Sequence, residues 1–124
     1  MIEKHWVYKG FPCVVKVIEH LGHRCGYVGL TKDHPLYGQK RYDFDLECNG
    51  GITYSESSLS EVEDTEHWWL GFDYAHFWDR PDPAYADPDW MSYFVLDYCT
   101  TTTYLPEAIK DVEYLVDQLI EYSE

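Results

Sequence analysis

Beyond residue 41 the chain is almost devoid of positive charge. Only Arg80 and Lys110 stand there against 20 acids, a net of −18. Residues 1–41 hold the other seven basic residues and three acids (Glu3, Glu19, Asp33), so the whole chain reaches −14. An acidic surface of that size repels nucleic-acid phosphate and excludes direct DNA or RNA binding. It suits a basic groove on another protein, or serves only to keep a small protein dispersed. No run approaches 18 apolar residues, so no membrane-spanning helix is expected. The first residues, Met1-Ile2-Glu3-Lys4-His5-Trp6, lack the apolar core of a signal peptide, and the expectation is an intracellular protein. None of the four cysteines (Cys13, Cys25, Cys48, Cys99) forms a CxxC pair. They read as small buried hydrophobes in a reducing compartment. A zinc site using His23 or His76 would need a spacing that the chain lacks.

What remains is a globular composition. With 45% hydrophobic and 18% aromatic residues, the 124-residue chain can build one core but not two, so residues 1–124 read as a single domain. The densest segment is Trp68-Trp69-Leu70-Gly71-Phe72-Asp73-Tyr74-Ala75-His76-Phe77-Trp78-Asp79. Large aromatics want burial and partners for their polar tips, while Asp and His resist burial unless paired. The segment therefore reads as a core strand, the wall of a site, or both.

Residues 13–20 are β-branched and predict a strand. Residues 25–30 predict its hairpin partner, with Gly26 and Gly29 marking close backbone approach or a bulge. Residues 31–41 carry Pro35 and Gly38 and predict a loop. Residues 42–48 alternate apolar and acidic side chains, predicting a strand with one buried face. Asn49-Gly50-Gly51 is a strong turn signal, and residues 52–55 are the expected return strand of that hairpin. Residues 56–66 are rich in Ser and Glu and predict a solvated loop, a candidate lid. Residues 67–72 predict another strand, with a turn near 73–76. Pro81, Pro83 and Pro88 exclude regular structure over 79–89. Residues 90–98 fit a strand or a short helix. Thr102 or Thr103 then caps a helix with Pro106 in its first turn. Its apolar stripe is Ile109, Val112, Leu115, Val116, Leu119 and Ile120. The opposite face carries Asp111, Glu113, Asp117 and Glu121, with no basic residue in the last turn to meet the dipole. The predicted fold is α+β: an antiparallel sheet of four to six strands packed against one long C-terminal helix.

The segments Asn49-Gly50-Gly51-Ile52-Thr53-Tyr54-Ser55 and Trp68-Trp69-Leu70-Gly71-Phe72-Asp73-Tyr74-Ala75-His76 resemble the paired signatures of a family of small proteins of phages and mobile elements. Gly22-His23-Arg24-Cys25-Gly26-Tyr27-Val28-Gly29 and His34-Pro35-Leu36-Tyr37-Gly38 fit the same pattern, so the resemblance spans residues 22–76. It names no reaction. The family pattern has a histidine where this chain has Asn49 and a cysteine where it has Tyr74. If those positions carry metal or nucleophile chemistry in the family, this member lacks it. The resemblance thus implies a non-enzymatic role in the host cytosol, directed at a host component.

Read from the residues themselves, Asp73 with His76 is either a base–orienter pair or a strand end bonded to backbone. His23, His34, Asp73 and His76 offer metal-ligand chemistry, but without a His-x₃-His pair no metal or cofactor is expected. Gly50-Gly51 with Thr53 and Ser55 is a hairpin turn or a small anion cradle, and lacks the lysine and following helix of a phosphate-binding loop. Trp68 and Trp69 face opposite ways on a strand. One is therefore expected to meet the helix and the other a partner, a ligand or a second copy, unless the sheet is covered on both sides.

The expectation that unites these features is an acidic binding protein that inhibits a host defence component by blocking its basic nucleic-acid groove. One alternative is an aromatic pocket for a small nucleotide signal, built from Thr53, Tyr54, Trp68, Trp69, Asp73 and His76. In it Arg24, Lys40 and Arg41 meet the phosphates and a homodimer closes over the ligand. The other is a small enzyme using Asp73 and His76.

Overall fold

The computed structural model describes residues 1–94 and 101–124. Five strands form one antiparallel sheet: β1 (Ile2–Tyr8), β2 (Phe11–Val17), β3 (Arg24–Leu30), β4 (Tyr54–Glu56) and β5 (Trp68–Asp73). Their order across the sheet is β1-β2-β3-β5-β4. A short helix α1 (Pro88–Met91) leads into a 3-10 turn (Ser92–Phe94), and the long helix α2 (Leu105–Tyr122) closes the chain. The α+β expectation is met. Among the described residues no helix is long and apolar enough to cross a membrane.

The β2–β3 hairpin pairs as expected, Val14 opposite Tyr27 and Lys16 opposite Cys25. Strand β1 precedes it, joined by Lys9-Gly10 with both residues at positive φ (49° and 85°). Two successive positive φ angles match the right-handed strand twist in a two-residue hairpin. Helix α2 buries Ala108, Val112, Leu115, Val116 and Leu119. Each of these valines and leucines contributes roughly 1.5–3 kcal/mol when taken from water. They meet Cys13, Val15, Val28, Leu70 and Phe72 on one face of the sheet. The close approach is made at Gly26, where an added Cβ would lie 2.6 Å from Val112 Cγ2. The helix starts after Tyr104, which makes no side-chain cap, with Pro106 in its first turn; neither Thr102 nor Thr103 caps it.

Other expectations fail, each for a physical reason. The exclusion of regular structure over 79–89 ends at Pro88, which stands in the first turn of α1, where a missing backbone N–H is no loss. Residues 42–48 do not form a strand. Their burial does alternate, with Phe44, Leu46 and Cys48 turned inward and Asp43, Asp45 and Glu47 outward. The backbone, however, is bonded by a helix side chain: Gln118 accepts from Glu47 N (2.6 Å) and donates to Glu47 O (2.8 Å). The segment is a strap along α2, bent at Tyr42 and Asp45. The Asn49-Gly50-Gly51 turn therefore closes no hairpin, and β4 pairs with β5 instead.

Residues 57–66 are not merely solvated. Leu59 is buried with Val14 and Trp69 on the sheet's second face, and Val62 packs against them. Both faces are thus covered, and the exposed tryptophan expected of a Trp-Trp strand does not occur. Trp68 is half-buried on the helix side, donating to Ser55 Oγ (2.9 Å). Trp69 is fully buried on the other. The 90–98 reading is settled only to residue 94; the rest, and Cys99, lie outside the described residues.

Candidate functional site

At the C-terminal end of β5 two turns meet. The first is closed by Gly51 N donating to Cys48 O (3.0 Å), the second by Asp79 N donating to His76 O (2.9 Å). Gly50 sits at φ 72°. A Cβ there would lie 1.9 Å from His76 Nε2, so the imidazole packs directly on the glycine backbone. The other flank of His76 is Trp78, stacked at 4.7 Å and 7°.

Asp79 organises the junction. Its side chain is 4% exposed. One oxygen, Oδ2, accepts from Asn49 Nδ2 (2.9 Å), from the His76 backbone N–H (3.0 Å) and from His76 Nδ1 (3.0 Å). The proton of the imidazole therefore sits on Nδ1. Asn49 also donates to Asp73 O (3.2 Å) and accepts from Trp78 Nε1 (3.0 Å). Asp73 accepts from Thr53 Oγ1 (2.9 Å) and Ala75 N (3.1 Å). Its Oδ1 lies 3.8 Å from His76 Nε2, beyond a hydrogen bond. The spacing in sequence named Asp73 as partner of His76. The structure gives the orienting role to Asp79, whose signal was its i, i+3 position after His76.

Chemically this is a histidine with an orienting carboxylate. The nearby hydroxyl of Thr53 is committed to Asp73, and among the described residues no thiol is activated. Burial, aided by the Asp111 charge, pushes the Cys48 thiol up to about 12, and burial does the same to Cys13. Burial also raises Cys25. Among the described residues no group of three or more His, Cys, Asp or Glu is arranged to hold a metal ion. Tyr74 donates to Asp111 Oδ2 (2.5 Å), and burial followed by that carboxylate holds its hydroxyl protonated well above the usual phenol range. A cleft of about 370 Å³ beside the junction is lined by Glu47, Cys48, Asn49, Asp111 and Tyr114.

The residues expected to form a nucleotide pocket are dispersed. Trp68 and Trp69 lie on opposite faces. Tyr54 belongs to the Trp69 face, edge-on to Tyr27. Arg24, expected at a phosphate, is 4% exposed and engaged inside the protein. It donates twice to Glu3 (2.6 and 3.0 Å), and to Asp82 (2.9 Å) and Thr103 O (3.0 Å). Arg41 pairs with Asp43 and Lys40 with Glu56. His23 and His34 are buried and bonded to Tyr74 O and Leu119 O, far apart in role from His76.

The acidic helix face is only partly open. Glu113 accepts from Trp6 Nε1 and Asp117 from Lys9, while Glu121 is exposed. The chain matches no family model, no curated protein and no solved structure.

Proposed function

We propose that this protein acts by occupying a basic groove on another protein, in the place of nucleic acid. The observation that carries the reading is where the positive charge goes. Five of the nine basic side chains (Lys9, Lys16, Arg24, Lys40, Arg41) are ion-paired to acids of the same chain. The surplus of 14 negative charges is what solvent and any partner meet. Asp45, Glu47 and Glu63 supply part of it from exposed positions without an ion pair of their own among the described residues. The internal pairing of Arg24, Lys40 and Arg41 speaks against the nucleotide-pocket reading, which gives the phosphates to those three cations. The resemblance to small phage proteins makes the occupied protein a host nucleic-acid enzyme, such as one of a defence system.

The test is displacement of a labelled DNA duplex from a panel of purified bacterial enzymes that hold nucleic acid in a basic groove, read by anisotropy. The expected result is stoichiometric displacement from one of them, with association slowing as salt rises. Replacing Asp43, Asp45 and Glu63 by their amides weakens it. No displacement at low salt, or displacement indifferent to both salt and these substitutions, overturns the reading.

A second reading rests on the Asp79-oriented imidazole, which would let His76 with Asp73 serve acid–base catalysis. His76→Ala separates the two: it abolishes turnover under the second and leaves displacement intact under the first.

A further inference from the structure

Residues 57–66 bridge the adjacent strands β4 and β5 and lie over the sheet's second face. Their feet are fastened. Tyr54 donates to Ser58 O at one end (2.5 Å). At the other, Asp64 accepts from the backbone of Glu66 and His67 and from the His67 ring (2.9, 3.0 and 2.6 Å). The middle is fastened by side chains. Its apolar anchors are Leu59 and Val62. Its polar anchors are Lys16 Nζ, which donates to the Ser60 carbonyl and to Ser60 Oγ (2.8 Å) and pairs with Glu61 (3.8 Å), and the N-terminal ammonium, which donates to Glu61 Oε1 (3.4 Å). Glu61, between them, is held at φ 69°, which an L side chain adopts only at a cost of about 1 kcal/mol or more.

Beneath this segment lies Trp69. It is 0% exposed, and its indole N–H finds no acceptor among the described residues. A buried donor without a partner costs roughly 1–3 kcal/mol. Both the strained Glu61 and the orphaned indole are penalties of the closed arrangement alone. Lifting the middle of the segment relieves both, and uncovers Val14, Tyr27, Tyr54 and Trp69 as one aromatic face.

We infer that residues 57–66 form a hinged cover, opening between its two fastened feet while the sheet stays folded, and exposing the Trp69 face. The opening is independent of any partner.

Native-state hydrogen exchange on the wild-type protein tests it by NMR, after correction for intrinsic rates. The Trp69 indole hydrogen is expected to exchange about 100-fold or more faster than the Val14 and Val15 amides of β2, with a much shallower dependence on urea. Leu59→Ala is expected to speed the indole hydrogen about tenfold or more. An indole hydrogen as slow and as urea-dependent as Val14 and Val15 overturns the inference. So does an indole hydrogen that Leu59→Ala leaves unchanged, since exchange would then not pass through the cover.

Discussion

Arg24→Met removes the one cation from a buried cluster that joins four parts of the chain. The guanidinium of β3 forks onto Glu3 of β1, reaches Asp82 in the proline-rich loop and binds Thr103 O just before α2. It also lies 5.6 Å from the Tyr85 ring centre, and Tyr85 donates to Glu3 Oε2 (3.1 Å). The side chains of Glu3 and Asp82 are 8% and 7% exposed. Methionine fills the space but leaves two carboxylates buried without a counter-charge, a change that costs about 3–5 kcal/mol. A domain of this size holds roughly 5–15 kcal/mol in all. The melting temperature should fall by about 9–25 °C, at roughly 3–5 °C per kcal/mol for this length. Urea unfolding followed by far-UV circular dichroism gives the free energy, with the m-value unchanged from wild type. The triple variant Arg24→Met, Glu3→Gln, Asp82→Asn should recover part of the loss, since it buries no unpaired charge. Arg24→Lys should cost less than Arg24→Met while losing the bidentate fork. A loss below about 1 kcal/mol for Arg24→Met, the range of exposed pairs, would refute the reasoning, because the carboxylates would then be hydrated in the folded state.

Gly26→Ala puts a methyl 2.6 Å from Val112 Cγ2 and 2.9 Å from Phe72 Cζ, so α2 must lift from the sheet. A cost of about 1–3 kcal/mol in the same urea assay is expected, and a neutral result would mean that the helix rides higher. Gly50→Ala strains a φ of 72° and drives a methyl into the His76 ring. It should lower stability by about 1–2 kcal/mol and shift the Trp78 indole resonance, and an unmoved Trp78 would show that the stack does not depend on the turn. Burial pushes the Asp64 carboxyl up, but the His67 and Glu66 backbone N–H groups and the His67 ring outweigh it, leaving Asp64 below its ordinary value. A depressed carboxylate adds stability above the ordinary carboxyl range and loses it as pH falls through the folded value. Asp64→Ala should therefore cost about 1–2 kcal/mol at pH 7 and far less at pH 2.5. An equal deficit at both would place the effect in packing, not charge.

Helix α2 and the β2–β3 hairpin were legible because pattern and partner coincide. Val112, Leu115, Val116 and Leu119 repeat at helical spacing, and the β-branched run 14–17 meets its neighbour through a short turn. Residues 42–48 show where pattern and partner separate. Alternation reports which side of an extended segment is buried, and it did so correctly. It does not report what bonds the backbone, and Gln118 took the place of a neighbouring strand. Strand β1 went unread because Lys9-Gly10 is a weak turn signal beside Asn-Gly, and because Glu3, Lys4 and His5 hide the period. At the junction, Asp73 and His76 were visible and Asn49 seemed a turn residue only. That its amide joins Asp79, Asp73 and Trp78 follows from the meeting of two turns 30 residues apart. No local pattern encodes that meeting.

The covered sheet also decides where function can reside. A strand of 124-residue chain with adjacent tryptophans suggests a binding face, yet here both rings serve packing, one under α2 and one under the 57–66 segment. With Trp68 and Trp69 so engaged and five of the nine basic side chains paired internally, carboxylate is the prevailing charge of the surface. Asp43, Asp45 and Glu47 present part of that charge on the outward side of the strap. The Arg41–Asp43 pair is exposed, so its ion pair is released at little cost. The place of the charge, not net charge alone, then becomes the testable property. Moving one carboxylate off the strap, by Asp45→Asn with Thr65→Glu at another exposed position, keeps the charge and leaves Phe44 and Leu46 in the core. If charge alone governed binding, that variant would displace DNA as well as the native protein does; a protein that docks through the strap would lose affinity with its net charge intact.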